Sequence, residues 1–275
     1  MSTKRIVWGV IAIVCFGILA IAAYLAPSLP SGINIDTMMA SPSQMPPFGA
    51  DMQGRPLTEY ATQGARIVAI PSLVAGLFVT VLATIGGLVR CMDKPLLNAV
   101  IQAASELVGA LPRMVVILVA ALMLPTDWRG LMPLAIVWAI LAAPGAMDEA
   151  GAAAARLGGT RFVEALRAHG FSGFRIYAIH IIAYNLRPVV IRQGAEIMMQ
   201  VAFLEVAMSY LAVKSERPSF THPDSLRSWA DLLNMGYVGL VVDGVPMLHA
   251  LWLGIALIAL VVLTATAISK MVEAR

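Results

Sequence analysis

Six runs of apolar residues, separated by polar segments, recur along the chain. A bilayer core of about 30 Å requires about 20 helical residues, because each residue adds about 1.5 Å. The runs lie at 6–25, 67–89, 105–124, 131–147, 188–213 and 245–268, and only the third and fifth contain charged residues. The pattern predicts an all-α membrane protein in which residues 1–275 form one domain of six transmembrane helices.

The start of the chain allows two interpretations. Lys4 and Arg5, which precede the first run, are typical of a cleavable signal peptide as well as of a membrane anchor. The apolar run is long for a signal peptide, and no polar cleavage region follows it. We therefore expect a retained anchor.

Composition supports a membrane protein. Of the 275 residues, 59% are hydrophobic and 13% are charged, with a mean hydropathy of +0.82, whereas a soluble domain has about 25% charged residues. The net charge of +3 comes without a basic face beside aromatic residues, which argues against a nucleic-acid partner. Neither the two cysteines nor the four histidines have metal-ligand spacing, so we expect no metal site and no cofactor.

The distribution of basic residues predicts the orientation, because Lys and Arg are held back on the cytoplasmic side of a membrane. Six spans with both termini in the cytoplasm place about twice as many basic residues inside as outside. The inner set is Lys4, Arg5, Arg90, Lys94, Arg156, Arg161, Arg167, Arg175, Arg187, Arg192, Lys270 and Arg275, and the outer set is Arg55, Arg66, Arg129, Lys214, Arg217 and Arg227. This topology gives outer loops at 27–66 and 214–244 and a cytoplasmic loop at 148–187.

A short amphipathic helix is predicted inside the cytoplasmic loop. Its apolar residues and its charged residues lie on different faces, with Phe162, Ala165 and Leu166 on one face and Arg161, Glu164 and Arg167 on the other. Gly170 ends the helix, because glycine adopts a left-handed conformation at no steric cost. Amphipathicity alone allows this helix to lie on the bilayer surface or to dock in the groove of a partner.

The order of residues in this loop favours docking. Glu164-Ala165-Leu166, followed by Gly170 and later by Asn185 and Pro188, resembles the EAA loop of ABC importer permeases. In that family the loop forms a coupling helix that sits in a cleft of the cytoplasmic ATPase. The resemblance implies ATPase-coupling roles for Phe162, Glu164, Ala165, Leu166, Arg167 and Gly170.

Further stretches resemble the oligopeptide, dipeptide and nickel branch of these permeases. Phe48–Arg55 is similar to "LGTD-x-x-GRD", Gln63–Arg66 to "YGAR", Leu204–Leu211 to "LLEASLSFL" and Ser228–Leu233 to "WGxML". The first of these gives an outer-loop signature of Gly49, Asp51, Gly54 and Arg55. Two departures are Pro56, where the branch has a second Asp, and His180–Asn185, which is one residue longer than the usual "HILPN".

The resemblance implies a permease subunit of a binding-protein-dependent importer in a bacterial cytoplasmic membrane. The expected partners are two ATP-binding cassette subunits, a second and different permease, an extracytoplasmic solute-binding protein and membrane lipid. The solute would be a peptide, nickel or a metal–metallophore complex. Because the chain has no GxxxxGK[ST] phosphate-binding loop, we expect ATP hydrolysis in the partner subunits and no enzymatic activity in this chain.

Charged and polar residues in the fifth run are costly in a membrane and need partners or water. Glu205 and Ser209 could line or gate a translocation path, and they could equally stabilise helix packing. For Arg192 and Glu196, near the cytoplasmic end of the run, we expect a structural role.

Two other functions fit parts of the sequence. An ion-gradient-driven secondary transporter would use intramembrane charges such as Glu205, together with helices broken at Pro71 or Pro112. An intramembrane serine protease would use Ser172, in Gly170-Phe171-Ser172-Gly173, with His249 as its base. The predicted topology places Ser172 in the cytoplasm and His249 near the outer face.

Overall fold

The computed structural model describes residues 3–27, 31–91, 95–125, 130–156, 160–210, 227–241 and 247–273, in which all regular secondary structure is helical. The α-helices in this part are α1 (Thr3–Leu25), α2 (Leu57–Gly64), α3 (Ile70–Cys91), α4 (Pro95–Gly109), α5 (Arg113–Met123), α6 (Leu131–Arg156), α7 (Thr160–Ala168), α8 (Arg187–Tyr210), α9 (Trp229–Val241) and α10 (Leu248–Glu273). The π-helical segments Ala65–Ala69 and Arg175–Leu186 lead into α3 and α8. The predicted all-α fold is confirmed.

Four helices are long and apolar enough to cross a membrane, namely α1, the continuous helix Leu57–Cys91, α6 and α10. The pair α4 and α5 makes a fifth candidate, with a bend of 83° between its halves. Large apolar side chains lie on the outer faces of these helices, such as Ile13 (74% exposed) and Leu77 (64% exposed). Helices of this length with apolar outer faces are typical of a membrane-embedded protein.

The third predicted span, 105–124, is not one straight helix. The chain leaves the helix after Gly109, and α5 begins at Arg113. Pro112 lies at the break in an extended conformation (φ −70°, ψ 98°). Proline has no N–H to donate, and its ring collides with the carbonyl of the residue four positions earlier, so the helix stops before it.

The fifth predicted span, 188–213, corresponds to α8, and its last three residues lie outside the described part of the chain. This helix is too polar to count as a span by its composition alone. It packs most extensively on α3 and α10, and its polar residues bond to α6. Gln200 accepts a hydrogen bond from Trp138 Nε1 at 2.9 Å, and Arg192 and Gln193 bind the Glu149 carboxylate. Protein contacts thus satisfy polar groups that lipid would not.

Neighbouring helices run in the directions that repeated membrane crossing requires. α3 and α6 are parallel, because Gly86 touches Met147 and Gly151 lies beside Arg90. α8 runs against α3: Gly76 meets Met198 within α8, whereas Gly87, farther along α3, meets Leu186, the residue just before α8.

The bundle has two distinct ends. At the α7 end, Gly9 of α1 lies beside Met271 of α10, and Arg156, Arg192 and Glu273 line a cavity of about 280 Å³. The start and the end of the described chain therefore lie together. At the other end, which we call the outer-loop end, Trp229 packs on Gly64, and His249 lies beside Gly49.

Several helices extend beyond their predicted spans. α6 continues nine residues past Met147, so the first part of the predicted cytoplasmic loop is helical. The helix predicted at 67–89 begins at Leu57, inside the predicted outer loop. α9 lies within the second predicted outer loop, whereas 214–226 and 242–244 of that loop lie outside the described residues. The missed extensions are short and mixed in polarity, so apolar-run length did not detect them.

The contact between α3 and α8 should be sensitive to one methyl group. A Cβ added at Gly194 would lie 2.6 Å from the Gly76 carbonyl oxygen and would also strike the Thr80 side chain. We expect Gly194→Ala to lower the free energy of unfolding by about 1–3 kcal/mol, because the helices must move apart. Thermal unfolding in detergent measures this. Gly17→Ala is the matched control, because nothing lies within 4 Å of a Cβ there, and an equal loss in both variants would contradict the prediction.

Candidate functional site

The short helix predicted for ATPase coupling is present as α7. Its inner face packs on the bundle through Val163, which is 3% exposed, and through the half-buried Phe162 and Leu166. Ala165 is exposed, so the prediction that it shares the apolar face is wrong. Val163, which that prediction left out, shifts the buried arc of the helix away from Ala165.

The end of α7 is a Schellman motif. Gly170 has a φ of +81° and donates from its N–H to the Arg167 carbonyl at 2.8 Å, while the Phe171 N–H donates to the Leu166 carbonyl at 3.2 Å. Phe171 and Leu166 both pack against the core, as the apolar contact of this motif requires. The predicted helix end at Gly170 is confirmed.

The charged face of α7 points away from the bundle. Arg161, Glu164 and Arg167 are all exposed, and the Arg167 guanidinium approaches the Tyr177 hydroxyl at 3.4 Å. An exposed charged face on a helix held from beneath by apolar side chains is a surface that a partner protein can contact without unfolding the helix.

Ser172 has a structural role at the start of the next helix. Its Oγ accepts a hydrogen bond from the Arg175 N–H at 3.4 Å, as in an N-cap. His249 lies beside Gly49, at the outer-loop end. It is 24 residues before Glu273, which lies at the α7 end, and a helix of that length spans about 36 Å. The serine and the histidine therefore do not form a catalytic pair.

At the outer-loop end, the carboxylate of Asp51 organises the loop before α2. Asp51 is 2% exposed. Its Oδ1 accepts hydrogen bonds from the Gln53 N–H at 2.7 Å and the Arg55 N–H at 2.8 Å, and its Oδ2 accepts one from the Tyr60 hydroxyl at 2.7 Å. Three donors on one buried carboxylate close the loop into a fixed turn.

Two glycines permit this turn. Gly49 and Gly54 have φ values of +87° and +76°, in the region that residues with a Cβ rarely adopt. The neighbouring backbone is also close, because a Cβ on Gly49 would lie 2.5 Å from the Ala40 carbonyl oxygen. The residues of the predicted signature, Gly49, Asp51, Gly54 and Arg55, therefore form one local structure.

The residues just before α9 pack against the Asp51 turn and the start of the helix that follows it. Gln63 Oε1 accepts a hydrogen bond from the Arg227 N–H at 3.0 Å, and Arg227 Nη2 donates to Gln53 Oε1 at 3.2 Å. Trp229 is fully buried against Gly64, and its Nε1 donates to the Ala61 carbonyl at 3.1 Å. Three of the stretches that carry the family resemblance thus pack together, although up to 174 positions separate the bonded residues.

The sequence did not identify Arg227 as part of this site. Arg227 has no exposed surface, and its Cζ lies 5.8 Å from the centre of the Tyr60 ring. It stands next to Ser228 and Trp229, at the start of a recognised stretch. That adjacency was the available signal, but an arginine in a polar loop is usually exposed.

Glu205 and Ser209, the predicted path or gate residues, are buried on α8 with exposures of 0% and 9%. Their neighbours Leu204 and Met208 pack against Ile117 and Ala121 of α5. In this conformation neither Glu205 nor Ser209 faces the apolar groove between α8, α9 and α10, which Phe203 and Val206 line.

Neither a protein-family model nor a curated protein sequence matches the chain. The functional interpretation therefore depends on the motifs and on the way the structure arranges them.

The Asp51 turn should be essential to the outer-loop end. We expect Asp51→Ala to lower the free energy of unfolding by about 3 kcal/mol or more, because it leaves buried donors without an acceptor. Thermal unfolding, together with limited proteolysis of the 31–56 segment, measures this. The control is Asp36→Ala, an exposed carboxylate in the same segment, which should change stability by less than about 0.5 kcal/mol. Unchanged stability and protease resistance in Asp51→Ala would contradict the assignment.

Proposed function

We propose that the chain is the transmembrane permease subunit of an ATP-driven importer. The observation that carries the proposal is the convergence of the three outer stretches, 48–55, 63–66 and 228–233, in one packed cluster. These stretches resemble the same branch of ABC importer permeases, and their contacts supply a physical reason for their joint presence. The all-helical membrane-embedded fold is the expected setting for such a subunit.

The position of α7 supports a coupling role. Its apolar side packs on α3 and on the π-helical segment Arg175–Leu186, while its charged side is exposed. The π-helical segment continues directly into α8. In our proposal an ATPase pushes on the exposed face of α7, and α3 and α8 carry the displacement into the bundle as a rigid-body change between two packings.

The complete importer would contain six bundle spans per permease, two ATP-binding cassette subunits and a second, different permease. An extracytoplasmic binding protein would deliver a peptide, nickel or metal–metallophore solute to the outer-loop end. The α7 end would then face the cytoplasm of a bacterium. This orientation follows from the distribution of basic residues.

Co-purification tests the assembly. The tagged chain, solubilised gently from its native membrane, should retain ATP-binding cassette subunits and a second permease in stoichiometric amounts, as identified by mass spectrometry. If the chain purifies alone and moves solute in liposomes along an ion gradient without ATP, it is a secondary transporter and the proposal fails.

Glu164 should affect coupling and leave stability unchanged, because its side chain is exposed. We expect Glu164→Ala to assemble normally and to lower ATP-driven uptake by about 5–150-fold, the usual range of coupling between two sites. Uptake into proteoliposomes, measured with ATP hydrolysis and thermal unfolding, separates coupling from folding. Glu273→Ala, an exposed carboxylate on α10 at the same end, is the control. Normal uptake by an assembled Glu164→Ala complex would rule out this role for α7.

A further inference from the structure

Two arginine side chains at the outer-loop end are buried with part of their N–H groups unpaired. Arg55 and Arg227 are 1% and 0% exposed. The Nε and Nη1 atoms of both guanidinium groups have no hydrogen-bond acceptor in the described part of the chain. The two residues belong to one hydrogen-bonded cluster, because Arg227 bonds to Gln53, and the backbone N–H groups of Gln53 and Arg55 share the Asp51 carboxylate.

The carboxylates of Asp51 and Asp231 in this cluster accept hydrogen bonds from groups other than the two guanidinium groups. Asp51 accepts from two backbone N–H groups and from Tyr60, and Asp231 Oδ2 accepts from the N–H and the hydroxyl of Ser228 at 2.8 and 2.9 Å. The ion pairs found among the described residues, Arg192–Glu149 and Lys270–Glu273, do not involve this cluster. Among the described residues, neither guanidinium therefore has a counter-charge within 4.0 Å.

We infer that Arg55 and Arg227 form a receiving site for the carboxylate of a small solute. Guanidinium N–H groups form strong charge-assisted hydrogen bonds to carboxylate oxygens, and a buried guanidinium without such a partner is strongly disfavoured. The Tyr60 ring, 5.8 Å from the Arg227 Cζ, adds an apolar wall beside the charges. The assignment of this arginine site to the solute-receiving side of the membrane rests on the proposed importer function.

The depth of the site favours a small solute over a protein partner. The unpartnered nitrogens of both side chains are enclosed by protein. A carboxylate held on the surface of a docked protein would not reach them, whereas a small molecule can be enclosed beside them. A soluble dicarboxylate or a peptide C-terminus has the required chemistry.

Thermal unfolding of the purified complex, measured with carboxylate probes and with the corresponding amides, tests the site. Acetate, glutarate and trialanine are compared with acetamide, glutaramide and trialanine amide at equal ionic strength. At least one carboxylate should raise the Tm by several degrees in a saturable way, because it binds the folded state alone, and its amide should not. Equal effects of every acid and its amide, or no effect of any carboxylate, would overturn the inference.

Variants show whether the response comes from these arginines. Arg55→Gln and Arg227→Gln should lose the carboxylate response, and Arg66→Gln, at an exposed arginine on the nearby π-helical segment, should keep it. Arg55 makes no described side-chain hydrogen bond, so Arg55→Gln should unfold at the same or a higher temperature than the parent protein without probe. A lower Tm in Arg55→Gln with no carboxylate response in the parent protein would identify an internal ion pair and overturn the inference. If Arg227→Gln does not fold, the Arg55→Gln variant and the comparison of acids with amides still show whether the site binds carboxylates.

The outcome is independent of the importer proposal. The probe experiment requires neither ATP nor transport. A complex that contains ATPases but ignores carboxylates would remove only this site. A chain that binds carboxylates but retains no ATPase would remove the importer and leave the site in place.

Discussion

The backbones of α3 and α8 touch at Gly76 and Gly194, and the rest of the bundle depends on that contact. Lipid tails are as apolar as leucine, so helices in a bilayer associate through close packing and polar contacts more than through the hydrophobic effect. Two glycines allow the approach, and it holds the most polar of the long helices against its neighbours. Because α8 lies inside the bundle, its residues Arg192, Gln193 and Gln200 form hydrogen bonds with α6. A helix that lipid would reject thereby becomes part of the core.

The two candidate sites lie at opposite ends of this central pair and are built differently. The outer-loop end is held by buried charge, through Asp51 and the backbone donors around it. The α7 end is held by apolar packing under Val163, with its charges left exposed. A buried polar network resists distortion because every broken bond leaves a group unsatisfied. A short helix seated on apolar side chains can shift more easily, which suits an element that transmits motion.

Apolar run length predicted the all-helical fold and located α1, α3, α6 and α10, because bilayer thickness sets the length of a spanning helix. It gave one straight helix at 105–124, where Pro112 breaks the chain, although proline is itself a readable stop signal. Gly170 was predictable, since a left-handed helix end requires little beyond its own residue. Ala165 was misplaced because helical spacing alone did not weigh Val163. Arg227 was missed because its burial depends on Gln63 and Gln53, which lie far earlier in the chain. Contacts between residues so widely separated in sequence leave no local pattern.

The same separation has a consequence for the order in which the protein is assembled. A chain entering a membrane from its N-terminus presents the Asp51 turn long before residues 227–231 have been synthesised. Until then, Gln63 has no Arg227 N–H to accept, and Gly64 has no indole packed against it. The outer-loop end is therefore among the last parts to reach its final structure, and it forms only after α9 has arrived. Truncated or stalled chains that end before α9 would expose this region to quality-control proteases, even with the preceding helices already in place.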